Sequence, residues 1–233
     1  MMFKFLFITL IGFGWLTPAY GVVTCQSIFA EIAISNPFDG IKVIGGSSKI
    51  PDSKVVLIAD QNHADVVYRK SLVKAINALA NPGDILLVEG AASLKPVSRS
   101  SAPEFSDLDK GITLLGWDNL PLLRRSLAIL KRLFEINSIL DRSSRNEAIL
   151  MNEFTRLSTE NDRISYVDRT ESLTDAIRVA AERNEGRRIF VLAGASHFSA
   201  NNHVMNSLQQ TPFIILTKES NSTAEQAATY YGH

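Results

Sequence analysis

Short runs of β-branched and large apolar residues alternate with longer amphipathic runs along most of this chain. Each short run is almost continuously apolar, which is typical of strands covered on both faces of a parallel sheet. This alternation predicts an α/β fold, with a mostly parallel central sheet flanked by helices. The clearest predicted strands are Val55–Ala59, Ile85–Glu89, Ile112–Leu115, Ile189–Ala193 and Phe213–Leu216, and weaker candidates are Ile41–Ile44 and Ile164–Val167.

The amphipathic runs between the predicted strands have the spacing of helices that bury one face. The longest run, Pro121–Leu140, carries one apolar stripe, formed by Leu123, Leu127, Leu130 and Phe134. The segment Ser172-Leu173-Thr174-Asp175 resembles a capping box, which indicates a helix that begins there and ends at Gly186. The other predicted helices are Ala64–Ala80, Ser144–Leu157 and Asn201–Leu208.

Two stretches fit neither pattern. Ala91–Asp109 is rich in Ser and Pro and directly follows a predicted strand, so we expect a long loop over the edge of the sheet. A long loop beside the carboxyl end of a strand is often a binding loop or a lid. The polar stretch Ser220–His233 is predicted to be a flexible tail.

The first 21 residues have the features of a secretory signal peptide. Lys4 gives a positive start, an apolar run extends from Phe5 to Leu16, and Pro18 ends that run. Ala19-Tyr20-Gly21 places small residues at the −3 and −1 positions of a cleavage site after Gly21. The apolar run is shorter than the roughly 18 residues that a membrane span needs. We therefore expect export to the periplasm or the extracellular medium, with a retained anchor as the alternative.

Once the signal is removed, residues 22–219 are long enough for one α/β domain. Cys25 is the single cysteine, so it forms no internal disulfide and stability must come from the core. Lipidation of Cys25 would tether the protein to a membrane. The preceding Val22-Val23-Thr24 lacks the small residue that a bacterial lipoprotein signal places before its cysteine. The sequence therefore favours an untethered chain.

The charge pattern restricts the class of partner. Lys and Arg together number 24, as do Asp and Glu, and the two signs are mixed along the chain. Because there is no basic stripe, nucleic acid is not an expected partner. No Gly-x-Ser-x-Gly elbow surrounds any serine, which argues against an ordinary α/β-hydrolase, and no glycine-rich phosphate loop is present.

Ionisable side chains come after four of the predicted strands. His63, Glu89, Asp118 and His197 each stand at or soon after the end of an apolar run. Because ligands of open parallel sheets bind outside the carboxyl ends of the strands, we expect these side chains at one edge. Two histidines and a carboxylate can hold a divalent ion, so His63, Glu89 and His197 are candidate metal ligands. Without a metal, a histidine could act as a base that the carboxylate orients.

Each of these residues also has a structural interpretation. His63 could lie in the first turn of a helix, and either Asp118 or Asn119 could cap the next helix. Glu89 ends a buried strand, so its carboxylate requires a partner or a cleft with solvent. Gly194 permits a tight turn before His197, and this turn can have a purely structural role.

Four short motifs, in this order, resemble the Tiki/TraB superfamily, which also includes the erythromycin esterase-like and the ChaN-like haem-uptake proteins. They read LIADQNHAD at 57–65, LVEGA at 87–91, RNE at 145–147 and VLAGASHF at 191–198. The resemblance extends from about Val55 to Phe198 and implies an α/β fold of the erythromycin esterase/ChaN type.

Similarity to Tiki implies a metal-dependent protease in which His63, Glu89 and His197 are the essential groups. It also implies that Arg145 and Asn146 hold the loops of the site or bind an anionic group of the substrate, since Arg suits carboxylate recognition.

One position departs from the Tiki pattern. Asp60 stands where that pattern has Gly, and an acidic residue near this place is more similar to the erythromycin esterase-like branch. We therefore predict an exported hydrolase that acts on a peptide, an ester or another small molecule. The ion that it would use is Mn, Co, Zn or Fe. The residues predicted to support the site or contact the substrate are Asp60, Asp118, Arg145 and Asn146.

Two other functions remain open. A ChaN-like protein would bind haem or a similar ligand at the same edge without catalysis, with Tyr68 and His63 as candidate haem ligands. A degenerate member would act through partner contacts and would not need its histidines.

Overall fold

Strands and helices alternate along the part of the chain that the structure describes. This computed structural model describes residues 41–46, 52–60, 66–140, 146–198, 204, 207–208 and 211–218. The strands are β1 (Ile41–Gly46), β2 (Val55–Asp60), β3 (Ile85–Ala92), β4 (Thr113–Asp118), β5 (Ile189–Gly194) and β6 (Phe213–Lys218). The helices are α1 (Val66–Leu79), α2 (Leu120–Leu140), α3 (Glu147–Arg163) and α4 (Arg169–Arg183).

The strands form one sheet in the order β1-β6-β2-β5-β3-β4. β1 pairs antiparallel with β6 at one edge, and every other neighbouring pair is parallel. The fold is therefore α/β with a mostly parallel sheet flanked by helices, as the sequence predicts. The five clearest strand predictions and the weaker one at Ile41–Ile44 are confirmed.

Helices cover both faces of this sheet. On one face, Leu72 and Ile76 of α1 pack against Ile58 of β2 and its neighbours. On the other face, Leu173 of α4 packs against Leu57 and the alternate residues of the strands beside it. Burial on both faces explains why these strands are almost continuously apolar. Each large side chain buried in this way contributes about 1.5–3 kcal/mol to folding.

The connection from β3 to β4 lies on the same face as α1. It contains two short 3-10 turns, Arg99–Ser101 and Pro103–Phe105. Phe105 and Leu108 are buried in the core under α1, and the Asn77 amide of α1 donates to a backbone carbonyl of the loop at 2.7 Å. The loop predicted at Ala91–Asp109 thus begins after β3 ends and covers a face of the sheet, so its apolar side chains hold it in place.

The predicted strand Ile164–Val167 is wrong. Ile164–Asp168 forms a π-helical segment, and the chain stays helical from α3 through this segment into α4. A short apolar run does not by itself distinguish a strand from a buried piece of helix. Here Ile164 packs into the core between α2 and α3.

The predicted capping box is wrong for the same reason. α4 begins at Arg169, so Ser172 lies within the helix and its Oγ donates to the carbonyl oxygen of Asp168 at 3.1 Å. Because the π-helical segment precedes α4 directly, Ser172 has no free helix start to cap.

α2 and α3 form an antiparallel hairpin beside the sheet. Arg125 pairs with Glu160 near the sheet, and Arg132 pairs with Glu153 further along. The face of α2 that packs on α3 carries Ile129 and Ile136. The apolar stripe read from the sequence lies on a different face of α2, where Leu127 is 56% and Phe134 is 74% exposed. The stripe predicted the helix but not the side of it that is buried.

The predicted ends of the domain lie outside the described residues. The signal peptide (1–21), Cys25 and the tail (220–233) are outside as well, and the division into these parts stays a prediction. In the part of the chain that the structure describes, no helix is both long enough and apolar enough to cross a membrane.

Candidate functional site

Four neighbouring parallel strands bring polar residues to one edge of the sheet, the edge formed by the carboxyl ends of these strands. Asp60 is the last residue of β2, Glu89 lies near the end of β3, and Asp118 is the last residue of β4. His197 lies in a 3-10 turn, Ala195–Phe198, directly after β5. His63, the remaining candidate, lies outside the described residues.

A local irregularity of β3 positions Glu89. The pairing of β3 with β4 shifts between Val88 and Ala92, and Gly90 within this bulge has φ of 82°, which favours glycine. Opposite the bulge, a Cβ on Gly116 of β4 would overlap the carbonyl group of Ala91. The Glu-Gly motif is therefore a bulge that turns the strand end, and Gly116 leaves room for it.

Arg169, the first residue of α4, bridges the carboxylates of Glu89 and Asp118. Its Nε and Nη2 donate to Oδ1 and Oδ2 of Asp118 at 3.0 and 2.7 Å, and Nη2 also donates to Glu89 Oε1 at 2.6 Å. The backbone N–H groups of Gly90 and Gly194 donate to Asp118 Oδ2 and Glu89 Oε2. We call Arg169, Glu89 and Asp118 the Arg169 bridge.

The Arg169 bridge is almost removed from water. The side chains of Arg169 and Asp118 are 7% and 0% exposed, and that of Glu89 is 17% exposed. Burial alone would lower the pKa of Arg169, but its hydrogen bonds with Asp118 and the nearby charge of Glu89 outweigh burial, so its pKa is raised. The guanidinium therefore stays charged, and two carboxylates against one cation leave an excess of negative charge.

His197 is buried beside the Arg169 bridge. Its Nδ1 lies 2.8 Å from Oγ1 of Thr170, the residue after Arg169. The ring meets the edge of Trp117 with centroids 5.2 Å apart, and the Arg169 guanidinium lies 5.5 Å from the same indole. Trp117 donates Nε1–H to the carbonyl of Leu192, which fixes the indole that both groups contact. The Thr170 contact orients the imidazole and helps to select its tautomer.

Arg169, Thr170 and Trp117 were not predicted from the sequence. Trp117 directly precedes Asp118, which the sequence predicts at this edge. The need of two buried carboxylates for a cation was a usable signal, but it does not say which arginine provides it. Arg169 and Thr170 reach the site because the π-helical segment Ile164–Asp168 changes the phase of the helix just before them.

Asp60 belongs to a different arrangement. Arg69 of α1 donates to Asp60 Oδ2 at 2.8 Å and to Glu104 Oε1 at 3.0 Å. Glu104 lies in the connection between β3 and β4, on the α1 face of the sheet. We call these three residues the Arg69 bridge; it ties the end of β2 to that connection.

Of the two residues that could cap α2, Asn119 does so and Asp118 does not. Asn119 Oδ1 accepts the backbone N–H of Leu122 at 3.3 Å, which caps the first turn of α2. The Asp118 carboxylate is engaged by Arg169.

The predicted role of Asn146 at the site is not supported by its position. Asn146 precedes α3 with φ of 67°, and its side chain makes no cap hydrogen bond. α2 begins at the strand ends and its 21 residues extend about 30 Å, so the start of the antiparallel α3 lies at the far end of the hairpin. Arg145 lies outside the described residues.

The described residues do not by themselves hold the metal ion or the haem that the sequence implies. In the described ranges, no three His, Cys, Asp or Glu side chains are grouped so that they could hold a metal ion. Both oxygens of Glu89 accept hydrogen bonds, and the predicted ligand set is incomplete without His63. These residues alone therefore do not fit a metal centre. Tyr68 is 6% exposed in the core under α1, which does not fit an accessible haem ligand.

An open groove of about 560 Å³ adjoins the Arg169 bridge on its Asp118 side. Its floor is formed by the ends of β3 and β4, including Ser93 and Asp118. One wall is the first turn of α2 with Arg124, and the other is α4 with Ser172 and Asp175. The groove therefore lies at the edge where a parallel sheet binds ligands.

Comparisons with models of protein families, with curated proteins and with solved structures find no match to this chain. The resemblance to the Tiki/TraB superfamily stays a prediction based on the four sequence motifs.

Proposed function

We propose that this chain is an exported hydrolase in which His197 transfers protons at the carboxyl ends of β2, β3, β4 and β5. One observation carries this proposal: a buried histidine, held at Nδ1 by Thr170, lies next to an arginine-bridged pair of carboxylates at that edge.

Burial of charge supports a functional origin of this arrangement. A buried ion pair seldom stabilises a fold more than apolar side chains of similar volume would, because charges lose hydration. Charged groups with perturbed pKa values near a groove are therefore candidates for a functional site. Arg169 has a raised pKa, and Asp118 lines the groove.

The chemistry can be assigned to residues of this chain. When Nδ1 donates to Thr170, Nε2 of His197 carries the lone pair and can accept a proton from water as that water attacks a carbonyl carbon. The same nitrogen then gives the proton to the departing nitrogen or oxygen as the bond to the carbonyl carbon breaks. The excess negative charge of the Arg169 bridge favours the imidazolium that forms between these steps.

The resemblance implies a divalent ion as well. Such an ion would need His63 together with Glu89 and His197, and it would supply a more acidic water and polarise a carbonyl. Mn, Co, Zn and Fe remain the candidates. Elemental analysis of the purified protein is expected to find one of them if this part of the proposal holds, and a metal-free protein with full activity would contradict it.

The main test is hydrolysis of model esters and of short peptides by the purified protein. His197→Ala should lower kcat/KM by about 100-fold or more, the usual contribution of an acid–base group. Glu89→Gln should also lower it. Glu104→Gln in the Arg69 bridge is the matched control and should retain activity. Equal rates for the wild-type protein and His197→Ala would overturn the assignment.

Export has its own test. The signal predicted at residues 1–21 should be absent from the protein found outside the cytoplasm, whose first residue should be Val22. An N-terminus at Met1 in that fraction would instead indicate a retained anchor.

A further inference from the structure

The walls of the groove beside Asp118 carry charges of opposite sign. Arg124 is exposed on the α2 wall, and no described carboxylate forms an ion pair with it. Asp175 is on the α4 wall, with its side chain 73% exposed and only a 3.4 Å contact to Arg178, itself 58% exposed. An exposed pair of this kind contributes little, so the Asp175 carboxylate remains available to a ligand.

Two further hydrogen-bonding groups line the groove. Asn119 uses Oδ1 to cap α2, which leaves the NH₂ of the same amide as a donor on the Arg124 side. Ser93 on the floor is exposed and can donate or accept. Asp118 does not compete for a cation, because its carboxylate is fully buried and held by Arg169. The cation and the amide donor therefore lie on the α2 wall, and the available anion lies on the α4 wall.

We infer that this groove binds a short peptide with free ends, with its terminal carboxylate on Arg124 and its amino group on Asp175. Arginine matches a carboxylate with two parallel hydrogen bonds, and a primary ammonium pairs with a single carboxylate. A groove of about 560 Å³ has the size of a site for a small ligand and can hold a peptide of a few residues.

This inference deepens the proposed function by naming the substrate class, and it rests on that function for its link to the reaction. Peptides and esters are otherwise both open as substrates. A groove that recognises both ends of a zwitterion favours a peptide, and a neutral ester would leave both charges without a partner.

Calorimetric titration of the purified protein with trialanine tests the inference. Trialanine with both ends free should bind, and its C-terminal amide and its N-acetyl derivative should each bind about tenfold more weakly, as expected for loss of one charge-assisted contact. Arg124→Gln should abolish the difference between the free acid and the amide. Asp175→Asn should abolish the difference between the free and the acetylated amine. Arg183→Gln, at the other end of α4, is the control and should bind like wild type.

Equal affinity of wild type for trialanine and its amide, an unchanged affinity in Arg124→Gln, or no saturable binding of trialanine would each overturn the inference. The two proposals fail in different ways. If trialanine binds in a way that depends on Arg124 but no substrate is hydrolysed, the peptide-binding groove is supported and the proposed hydrolase is contradicted. Hydrolysis that depends on His197 but not on Arg124 would keep the hydrolase and contradict the groove.

Discussion

Two arginine bridges lie at the same edge of the sheet, on opposite faces. In each, an arginine from a helix joins two carboxylates, one of which is fully buried at a strand end. The Arg69 bridge ties Asp60 to Glu104 in the connection between β3 and β4. The Arg169 bridge instead joins two strand ends and lies against Trp117, which also contacts His197.

The difference shows that an arginine bridge at a strand edge is not by itself evidence of a reaction centre. The Arg69 bridge has a structural role that is sufficient to explain it, because it holds the long connection between β3 and β4 against the end of β2. The Arg169 bridge joins the start of α4 to the ends of β3 and β4, two strands that the sheet already holds together as direct neighbours. Its presence therefore calls for another reason, and the adjacent histidine provides one.

The largest effect is expected from loss of an arginine. Arg169→Met should lower the free energy of unfolding by about 3–5 kcal/mol, because two buried carboxylates lose the cation that balances them. Arg69→Met should cost less, about 1–3 kcal/mol, because only Asp60 is fully buried and Glu104 can turn toward water. Urea denaturation of both variants at neutral pH measures the two losses.

The pH dependence of Arg169→Met separates charge from packing. Without the guanidinium, the two buried carboxylates have no cation beside them, a cost that disappears once they are protonated. The deficit should therefore be largest at neutral pH and should shrink in acid, where protonation removes the buried charges. Two results would contradict the difference between the bridges. One is a loss of stability in Arg169→Met that is the same at neutral and at acid pH, and the other is a larger loss in Arg69→Met.

The next effect concerns the histidine that distinguishes the two bridges. Thr170→Val keeps the shape of the side chain but removes the hydrogen bond at His197 Nδ1, which should cost about 1–3 kcal/mol in this buried place. Hydrolysis should fall as well, because the imidazole is no longer oriented.

Thr174→Val, one turn further along α4, is the matched control. Its hydroxyl donates to the carbonyl of Thr170 at 2.9 Å, and its removal should change stability by no more than about 0.5 kcal/mol and leave hydrolysis unchanged. If Thr170→Val is as active as Thr174→Val, then the contact with His197 has only a structural role.

The sheet and its polar edge were predictable because both depend on local patterns. Each strand is a continuous apolar run, and parallel strands place the residues after them at one edge, so Glu89, Asp118 and His197 could be located in advance. Arg169 could not be located in this way. Its place depends on the π-helical segment before α4, and the apolar run Ile164–Val167 in that segment has the pattern of a strand.

Residues implied by the motif order alone were placed less well. The motif order predicts Asn146 at the site, but the length of α2 places it at the far end of the α2–α3 hairpin. Asp60 lies at a strand end, as expected, yet its partner is Arg69 on the other face. A motif gives the order of residues along the chain, whereas the side chain that balances a buried charge is decided by packing between helices and strands.

The smallest effect is expected from Glu104, the more exposed arm of the Arg69 bridge. Glu104→Gln should lower the free energy of unfolding by about 0.2–1 kcal/mol, as for other partly exposed ion pairs. Because Phe105 and Leu108 still anchor the connection, the fold should persist, with faster amide exchange confined to residues near 104. Hydrolysis should be unchanged, since the Arg69 bridge only holds a connection. Loss of activity in Glu104→Gln, with the fold intact, would place both bridges in the reaction centre and remove the distinction between them.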